Sequence, residues 1–282
     1  MKTYLKWAGS KFPIMNQLSP FFPETIEGTF YDPFCGSLSV LFFLKERQPN
    51  LNAVCSDANP DLINCHIQVR DNLDKLIPTL ELLERMYNQS LTPESKSLMY
   101  YGIRDNFNAH INSALQQAAF MIFLNRTCFK GLWRVNQMKG EFNVPHNNFP
   151  EIKLYNIEVM RACSEALQGV TLLVLPYHKF FLQEQFTERD FIYIDPPYVA
   201  PANGTTFRRY TQKPFTEKDD KHLEKNLVTL NQNYRTPIVA SNSIDAKELY
   251  TAWSIHTLMR SGAMNSKIQK RPSVSEIVAV LA

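Results

Sequence analysis

The tetrapeptide Asp195-Pro196-Pro197-Tyr198 follows the apolar run Phe191 to Ile194. One proline is enough to stop a strand, because it has no N–H to give to the ladder. Two in succession fix φ twice, so the carbonyls of Asp195 and Pro196 are held in a set direction. Asp195 then offers a carboxylate at the C-terminal edge of a strand, where open α/β sheets bind ligands. Tyr198 adds a flat face beside it. This combination suits a planar ring that carries an amino group. Asp195 and the Pro196 carbonyl accept the N–H bonds, and the tyrosine stacks on the ring.

A second constellation lies upstream. Asp32-Pro33-Phe34-Cys35-Gly36-Ser37 is a small-residue turn after a short apolar run. Such a turn lets backbone approach a ligand closely, and the helix start behind it offers free N–H groups. Asp57 ends the next apolar run about 20 residues further on, where a Rossmann-like site holds ribose hydroxyls. Any βα turn can carry Gly36 and Ser37, so this pair alone is equally an ordinary turn and strand end.

These residues need a frame. The stretch 28–34 reads as a buried strand, 39–47 as a helix and 51–57 as a second strand, together a βαβ unit. From about Pro60 to Gln117 the apolar residues recur at helical spacing. A basic and aromatic irregular stretch follows at 125–149. After Glu151 the α/β texture returns. A helix is expected at 158–167, strands at 170–176, 191–195 and 236–242, and a helix behind Thr216, which forms a capping box with Asp219. The final run, 275–282, is expected as a late antiparallel strand. The fold class is therefore α/β: a Rossmann-like, mostly parallel sheet with helices on both faces and an inserted helical domain. The boundaries are 1–60 and 149–282 for the discontinuous α/β domain and 61–148 for the insertion.

The bulk numbers restrict the function classes. A 282-residue chain with 44% hydrophobic residues can bury one large core. A net charge of +3 permits nucleic acid as a partner, provided the basic surface is local. The five cysteines are odd in number and form no C-x-x-C pair. That argues against a disulfide framework or a zinc site and fits a reducing compartment. The N-terminus has no apolar leader and no apolar run reaches the length of a membrane span. The expectation is a soluble cytoplasmic protein without a metal.

The motif order resembles a known family. "KWAGSK" at 6–11, "DPFCGS" at 32–37, the stretch "LNRTCFKGLWRVNQMKGEFNVP" at 124–145 and "DPPY" at 195–198 stand in the order found in the Dam-family DNA adenine-N6 methyltransferases of the D12 class. The third of these resembles that family's recognition hairpin, and the resemblance covers nearly the whole chain. It departs at Ser10 and Leu38, where the family usually has glycine, and at His146-Asn147-Asn148. The first two bear on loop geometry, the third on flanking phosphate contacts.

The resemblance implies a role for each matching residue. Trp7, Lys11, Asp32, Phe34, Gly36, Asp57 and Asp195 would form the pocket for S-adenosyl-L-methionine, released as S-adenosyl-L-homocysteine. Asp195, Pro196, Pro197 and Tyr198 would hold an adenine flipped out of duplex DNA. Lys6, Arg126, Phe129, Leu132, Arg134, Asn136 and Pro145 would meet the DNA. Arginine can read guanine bidentately in the major groove, and apolar side chains can wedge into a stack that has lost a base. The basic segments at 207–210 and 267–271 are either phosphate contacts or solvated faces. Trp133 is either a wedge or a core residue.

The expected reaction is methyl transfer to adenine N6 in double-stranded DNA, with GATC as the target. The protein would act as a monomer or weak dimer on DNA in a bacterial or phage-infected cell, with a cognate restriction enzyme as a candidate partner. Two alternatives stay open at this point. One is methylation of another amine, cytosine N4 or RNA adenine. The other is a weak or dead methyltransferase scaffold that regulates through DNA binding.

Overall fold

A computed structural model describes residues 1–199, 215–260 and 274–282. The basic segments at 207–210 and 267–271 lie outside the described residues. The chain runs α1 (Met15–Leu18), β1 (Thr29–Asp32), α2 (Ser39–Arg47), β2 (Asn52–Asp57), α3 (Pro60–Asp71), α4 (Leu73–Gln89), α5 (Pro93–Ala109) and α6 (Ala114–Thr127). It continues through α7 (Ile157–Ala166), β3 (Thr171–Val174), α8 (Tyr177–Gln183), β4 (Phe191–Ile194), α9 (Glu217–Tyr234), β5 (Ile238–Ser243), β6 (Ser254–Arg260) and β7 (Val274–Leu281).

The described strands form a seven-stranded sheet in the order β3-β2-β1-β4-β5-β7-β6. β3, β2, β1, β4 and β5 pair in parallel. β7 enters antiparallel between β5 and β6, as expected for the final run. Strand order reverses between β1 and β4, which places a crevice at their C-terminal ends.

Successive residues of the central strands face opposite layers. Phe30, Phe191, Tyr193, Val239 and Val278 join one core with residues of α2, α3 and α6. Tyr31, Ile192, Ile194, Ile238 and Ala279 join the other, with residues of α8 and α9. Both faces are covered, so these strands read as continuous apolar runs rather than alternating ones.

The helical middle follows from local signals. Asn59 caps α3 by accepting from the N–H groups of Asp61 and Leu62, with Pro60 in the first turn. Thr92 and Ser95 form a capping box on α5, and Thr216 and Asp219 form the expected one on α9. α6 is apolar around most of its circumference and forms the centre of this layer, with Ala118 to Asn125 all buried. α3 packs against β2, β3 and α7 as well as α4 and α6, so it touches both the sheet and the helical middle.

Three elements go beyond the expectations: α1, a single turn, α8, only two turns long, and β6. β6 mixes His256, Thr257 and Arg260 with apolar residues because it is an edge strand, and its pattern therefore lacks a buried run.

Candidate active site

Three neighbouring strands each end on or just before a carboxylate: Asp57 after β2, Asp32 after β1 and Asp195 after β4. Asp32 is buried, and its carboxyl group is pushed well above the ordinary carboxylate range, chiefly by that burial. The Phe34 N–H, 3.1 Å from Asp32 Oδ1, opposes the shift, while the charges of Asp195 and Asp57 add to it. Asp57 is pushed up to about 6, again by burial, with the N–H groups of Asn59 and Gly36 opposing. Of the three acids, Asp32 bears the added cost of its two neighbours' charges, while burial alone raises Asp57.

Asp195 is held by a cation from the other end of the chain. Lys11 Nζ donates to Asp195 Oδ2 at 2.6 Å and to the Gly9 carbonyl at 2.8 Å. Lys11 is 2% exposed, which is tolerable for an ammonium only when it is paired. Lys11 also lies 5.0 Å from the centre of the Tyr198 ring. Past the tyrosine, the loop is tied to β5. Val199 N donates to Asn242 Oδ1 at 3.1 Å, and Ser243 Oγ donates to the Val199 carbonyl at 2.9 Å.

The turn after β1 is tightly supported. Gly36 has φ +47°, and a Cβ there would meet Trp7 Nε1 at 3.0 Å. Gly36 N donates to Asp57 Oδ2 at 3.3 Å and Asn59 N to Oδ1 at 2.9 Å. His66 Nε2 donates to the Gly36 carbonyl at 2.8 Å. Its Nδ1 then accepts from the Tyr4 hydroxyl at 2.5 Å, which fixes the tautomer. Burial lowers the His66 pKa to about 4, so this support is neutral. The Phe34 ring stacks on Tyr177 at 5.5 Å.

These residues fit S-adenosylmethionine. Each oxygen of Asp57 receives one backbone N–H, and a carboxylate oxygen has a second lone pair for a ribose hydroxyl. Glycine at position 36 lets the Trp7 indole lie close against the turn, where any side chain would collide with it, and the Phe34 ring stands beside the same turn, stacked on Tyr177.

The stretch 128–146 is a hairpin. Cys128 bridges His146, and Val135 bridges Phe142. The tip turns at Gly140, φ +73°, with Gly140 N bonded to the Asn136 carbonyl. Arg134 is half-buried on this arm, and its Nε donates to Asn143 Oδ1 at 2.8 Å. Asn136 is half-buried beside the tip, Pro145 and Phe129 are exposed, and the Pro145 carbonyl accepts from Phe129 N. Trp133 is buried against Phe107 and Phe142 and stacks on Trp7 at 6.1 Å, so it belongs to the core. Arg126 also points away from the expected role. Its Nη2 donates to the Tyr4 carbonyl at 2.6 Å, which ties α6 to the N-terminal segment. Lys6 is exposed and is seated by Asn125, which exchanges two hydrogen bonds with its backbone. A cleft of about 430 Å³ runs between the two segments, lined by Lys2, Lys6, Phe12, Lys130 and Leu132 among others.

Comparison with known proteins shows which family the chain falls in. The family model for D12 class N6 adenine-specific DNA methyltransferases matches residues 7–266. The chain belongs to this family. Type II methyltransferase M.MjaIII of Methanocaldococcus jannaschii is 32% identical over 280 residues, covering 96% of this chain and 95% of its own. The retron Ec67 DNA adenine methylase of Escherichia coli is 29% identical over 286 residues, covering 99% and 91%. The DNA adenine methylase of Haemophilus influenzae is 28% identical over 283 residues, covering 99% and 93%.

In this methyltransferase several supporting residues escaped the sequence reading. Asn242 and Ser243 anchor the loop after Tyr198. Asn125 seats Lys6, and Asn143 holds Arg134. Glu276, buried in β7, accepts from the Tyr198 hydroxyl. Two of these carried a signal. Asn125 is an amide closing the apolar run 118–124, and Glu276 is an acid just ahead of an apolar strand run. No helix among the described residues is long and apolar enough to cross a membrane.

Proposed function

We infer that this enzyme transfers a methyl group from S-adenosylmethionine to adenine N6 in double-stranded DNA at GATC, after the adenine has left the helical stack. The observation that carries the reading is Asp195 at the C-terminal end of β4, bonded to buried Lys11 and followed by Pro196 and the Tyr198 ring. N6 faces a neighbouring base inside the duplex, so a site built as this one needs the base extruded.

The chemistry supplied by bound S-adenosylmethionine is an electrophilic methyl group on a sulfonium centre. The residues of the chain do the rest. The amine is a poor nucleophile because its lone pair is delocalised into the ring. Asp195 and the Pro196 carbonyl would accept its two N–H bonds and favour a tetrahedral nitrogen with the lone pair outward. Lys11 fixes the carboxylate through Oδ2, and Tyr198 would stack on the base. This is positioning and electrostatics in a partly dry site. Asp57 would hold ribose hydroxyls, with Gly36, Phe34, Trp7 and Asp32 around it.

On the DNA side, Lys6 and Arg134 are assigned to base edges. Phe129 and Leu132 are assigned to the stack, and Asn136 and Pro145 to the hairpin contact surface. Residues 61–148 form the target-recognition unit, and 1–60 with 149–282 the catalytic one. The type II names of two relatives make a cognate restriction enzyme a candidate partner.

The test is to express the protein in a bacterium that lacks adenine methylation and map modified bases across the genome. N6-methyladenine confined to GATC is expected. Modification of a different sequence would overturn the target assignment, and modified cytosine would overturn the reaction.

A further inference from the structure

β7 is an unusual place for an acid. Val278 and Val280 pack on the same sheet face as Tyr193 and Val239, and the two-residue period of a strand puts Glu276 next in that row. Its ladder neighbours are Ser243 on β5 and Leu258 on β6. Glu276 is 2% exposed. A carboxylate is rarely kept in such a row unless a donor compensates it. One such donor is the Tyr198 hydroxyl, 2.7 Å from Glu276 Oε2 and 78 residues away in sequence.

We propose that Glu276 is a positioning residue for the methyl transfer: by accepting the Tyr198 hydroxyl it fixes the plane of the ring against which the target adenine is held. The proposal rests on the reading that Tyr198 stacks on that base. The tyrosine is pinned at both ends. Its loop backbone is tied to β5 through Val199, Asn242 and Ser243, and its ring is tied to β7 through Oη. Two of these bonds fix the backbone beside the residue and the third fixes Oη; because a phenol O–H lies near the plane of its ring, the direction to Glu276 Oε2 also biases the second of the side chain's two torsions. Burial, reinforced by the charges of Asp195 and Glu276, keeps the Tyr198 phenol protonated and therefore a donor. A ring left free to tilt would move N6 relative to the methyl donor, and misplacement on the ångström scale is costly in rate.

Five full-length variants test this: Tyr198→Phe, Glu276→Ala, Glu276→Gln, Tyr198→Ala and the double variant Tyr198→Phe/Glu276→Ala. Three quantities are measured: single-turnover rate, cofactor KM, and the fluorescence of a duplex carrying 2-aminopurine in place of the target adenine. Tyr198→Phe and Glu276→Ala should each slow the chemical step about ten-fold, with cofactor KM unmoved. The double variant Tyr198→Phe/Glu276→Ala should be no slower than either single one. Glu276→Gln keeps an acceptor and should recover most of the loss. If Glu276→Ala does not fold, Tyr198→Phe against Glu276→Gln decides, because both preserve shape. Wild-type rates for Tyr198→Phe and Glu276→Ala alongside an inactive Tyr198→Ala would overturn the proposal and leave the base-holding reading intact. A Tyr198→Ala variant with normal rate and normal 2-aminopurine signal would remove the base-holding reading itself, and the proposal with it.

Discussion

Lys11 and Asp195 are separated by 184 residues and joined by a 2.6 Å contact between Nζ and Oδ2. The bond closes the N-terminal loop onto the loop after β4, across the point where the sheet reverses its strand order. Lys11 has little access to water, so the pair matters to the lysine as much as to the acid. One contact therefore ties together two loops that are distant in sequence.

Asp195→Asn keeps the side-chain shape and removes the charge. It should abolish methylation while duplex affinity stays within a few-fold, because most DNA affinity comes from phosphate contacts elsewhere. Asp195→Ala should also lower stability by roughly 1–3 kcal/mol, since it strips the buried ammonium of its charged partner. Methyl incorporation, duplex binding and denaturant unfolding, measured on one preparation of each variant, check these statements. Substantial turnover by either variant would refute the assigned role.

Asp57 gives a pH signature. Its folded pKa of about 6 lies above the ordinary value of 3.8. A raised acid contributes stability that is fully present below the unfolded pKa and lost as pH rises through the folded one. The apo protein should therefore lose part of its stability between about pH 4 and pH 6 through this group. Cofactor affinity should move the other way, because the ionised carboxylate is the better acceptor for ribose hydroxyls. Affinity should rise as pH passes 6, and Asp57→Asn should flatten that rise and weaken binding about ten-fold or more at neutral pH. Calorimetric titration from pH 5 to pH 8 measures this. An unchanged profile in the variant would make Asp57 a strand-end residue only.

The sheet was legible wherever burial on both faces gave continuous apolar runs bounded by Pro33, Asp57 or Pro196. The helical middle was legible because α3 to α5 keep apolar residues at helical spacing, while α6, apolar on most of its circumference, was legible by its length. β6 was not, because an edge strand buries too little to impose a pattern. Lys11 and Asp195 were both singled out from sequence, but their contact was not, since pairing across 184 residues is decided by tertiary packing. Trp133 and Arg126 show the opposite case. Their types suit DNA contact, yet the core and the Tyr4 carbonyl hold them.

Leu38 pits strain against burial. It takes φ +62° at the start of α2, where glycine would be unstrained, and it is fully buried. Leu38→Ala should cost about 2–5 kcal/mol, because the cavity appears while the left-handed backbone remains. Leu38→Gly loses the same packing but relieves roughly 1 kcal/mol or more of strain. Glycine should therefore be the less harmful substitution, the reverse of the order in an ordinary helix. Denaturant unfolding of the two variants side by side decides it. Alanine proving the milder change would mean that the loop carries no strain at this residue.

Arg134 separates base reading from backbone anchoring. Its Nε is bonded to Asn143 Oδ1 at 2.8 Å, which sets the direction of the side chain on the hairpin arm. A bidentate contact to guanine uses two further N–H groups of the same guanidinium. Arg134→Ala should cost about 1–3 kcal/mol on the cognate site and abolish discrimination at one guanine-cytosine pair outside the adenine step. Activity on the site substituted at that pair should stay near normal. Asn143→Ala should show a weaker version of the same loss, at the same pair, because it frees the arginine without removing it. Lys6, seated by Asn125, should act likewise at a second pair. The measurement is kcat/KM on GATC and on each single-base variant, at two salt concentrations. A phosphate contact would behave otherwise: all sequences would weaken together, and the salt slope would fall by about one unit. That uniform loss would demote Arg134 to a backbone anchor and take with it the main support for GATC as the target.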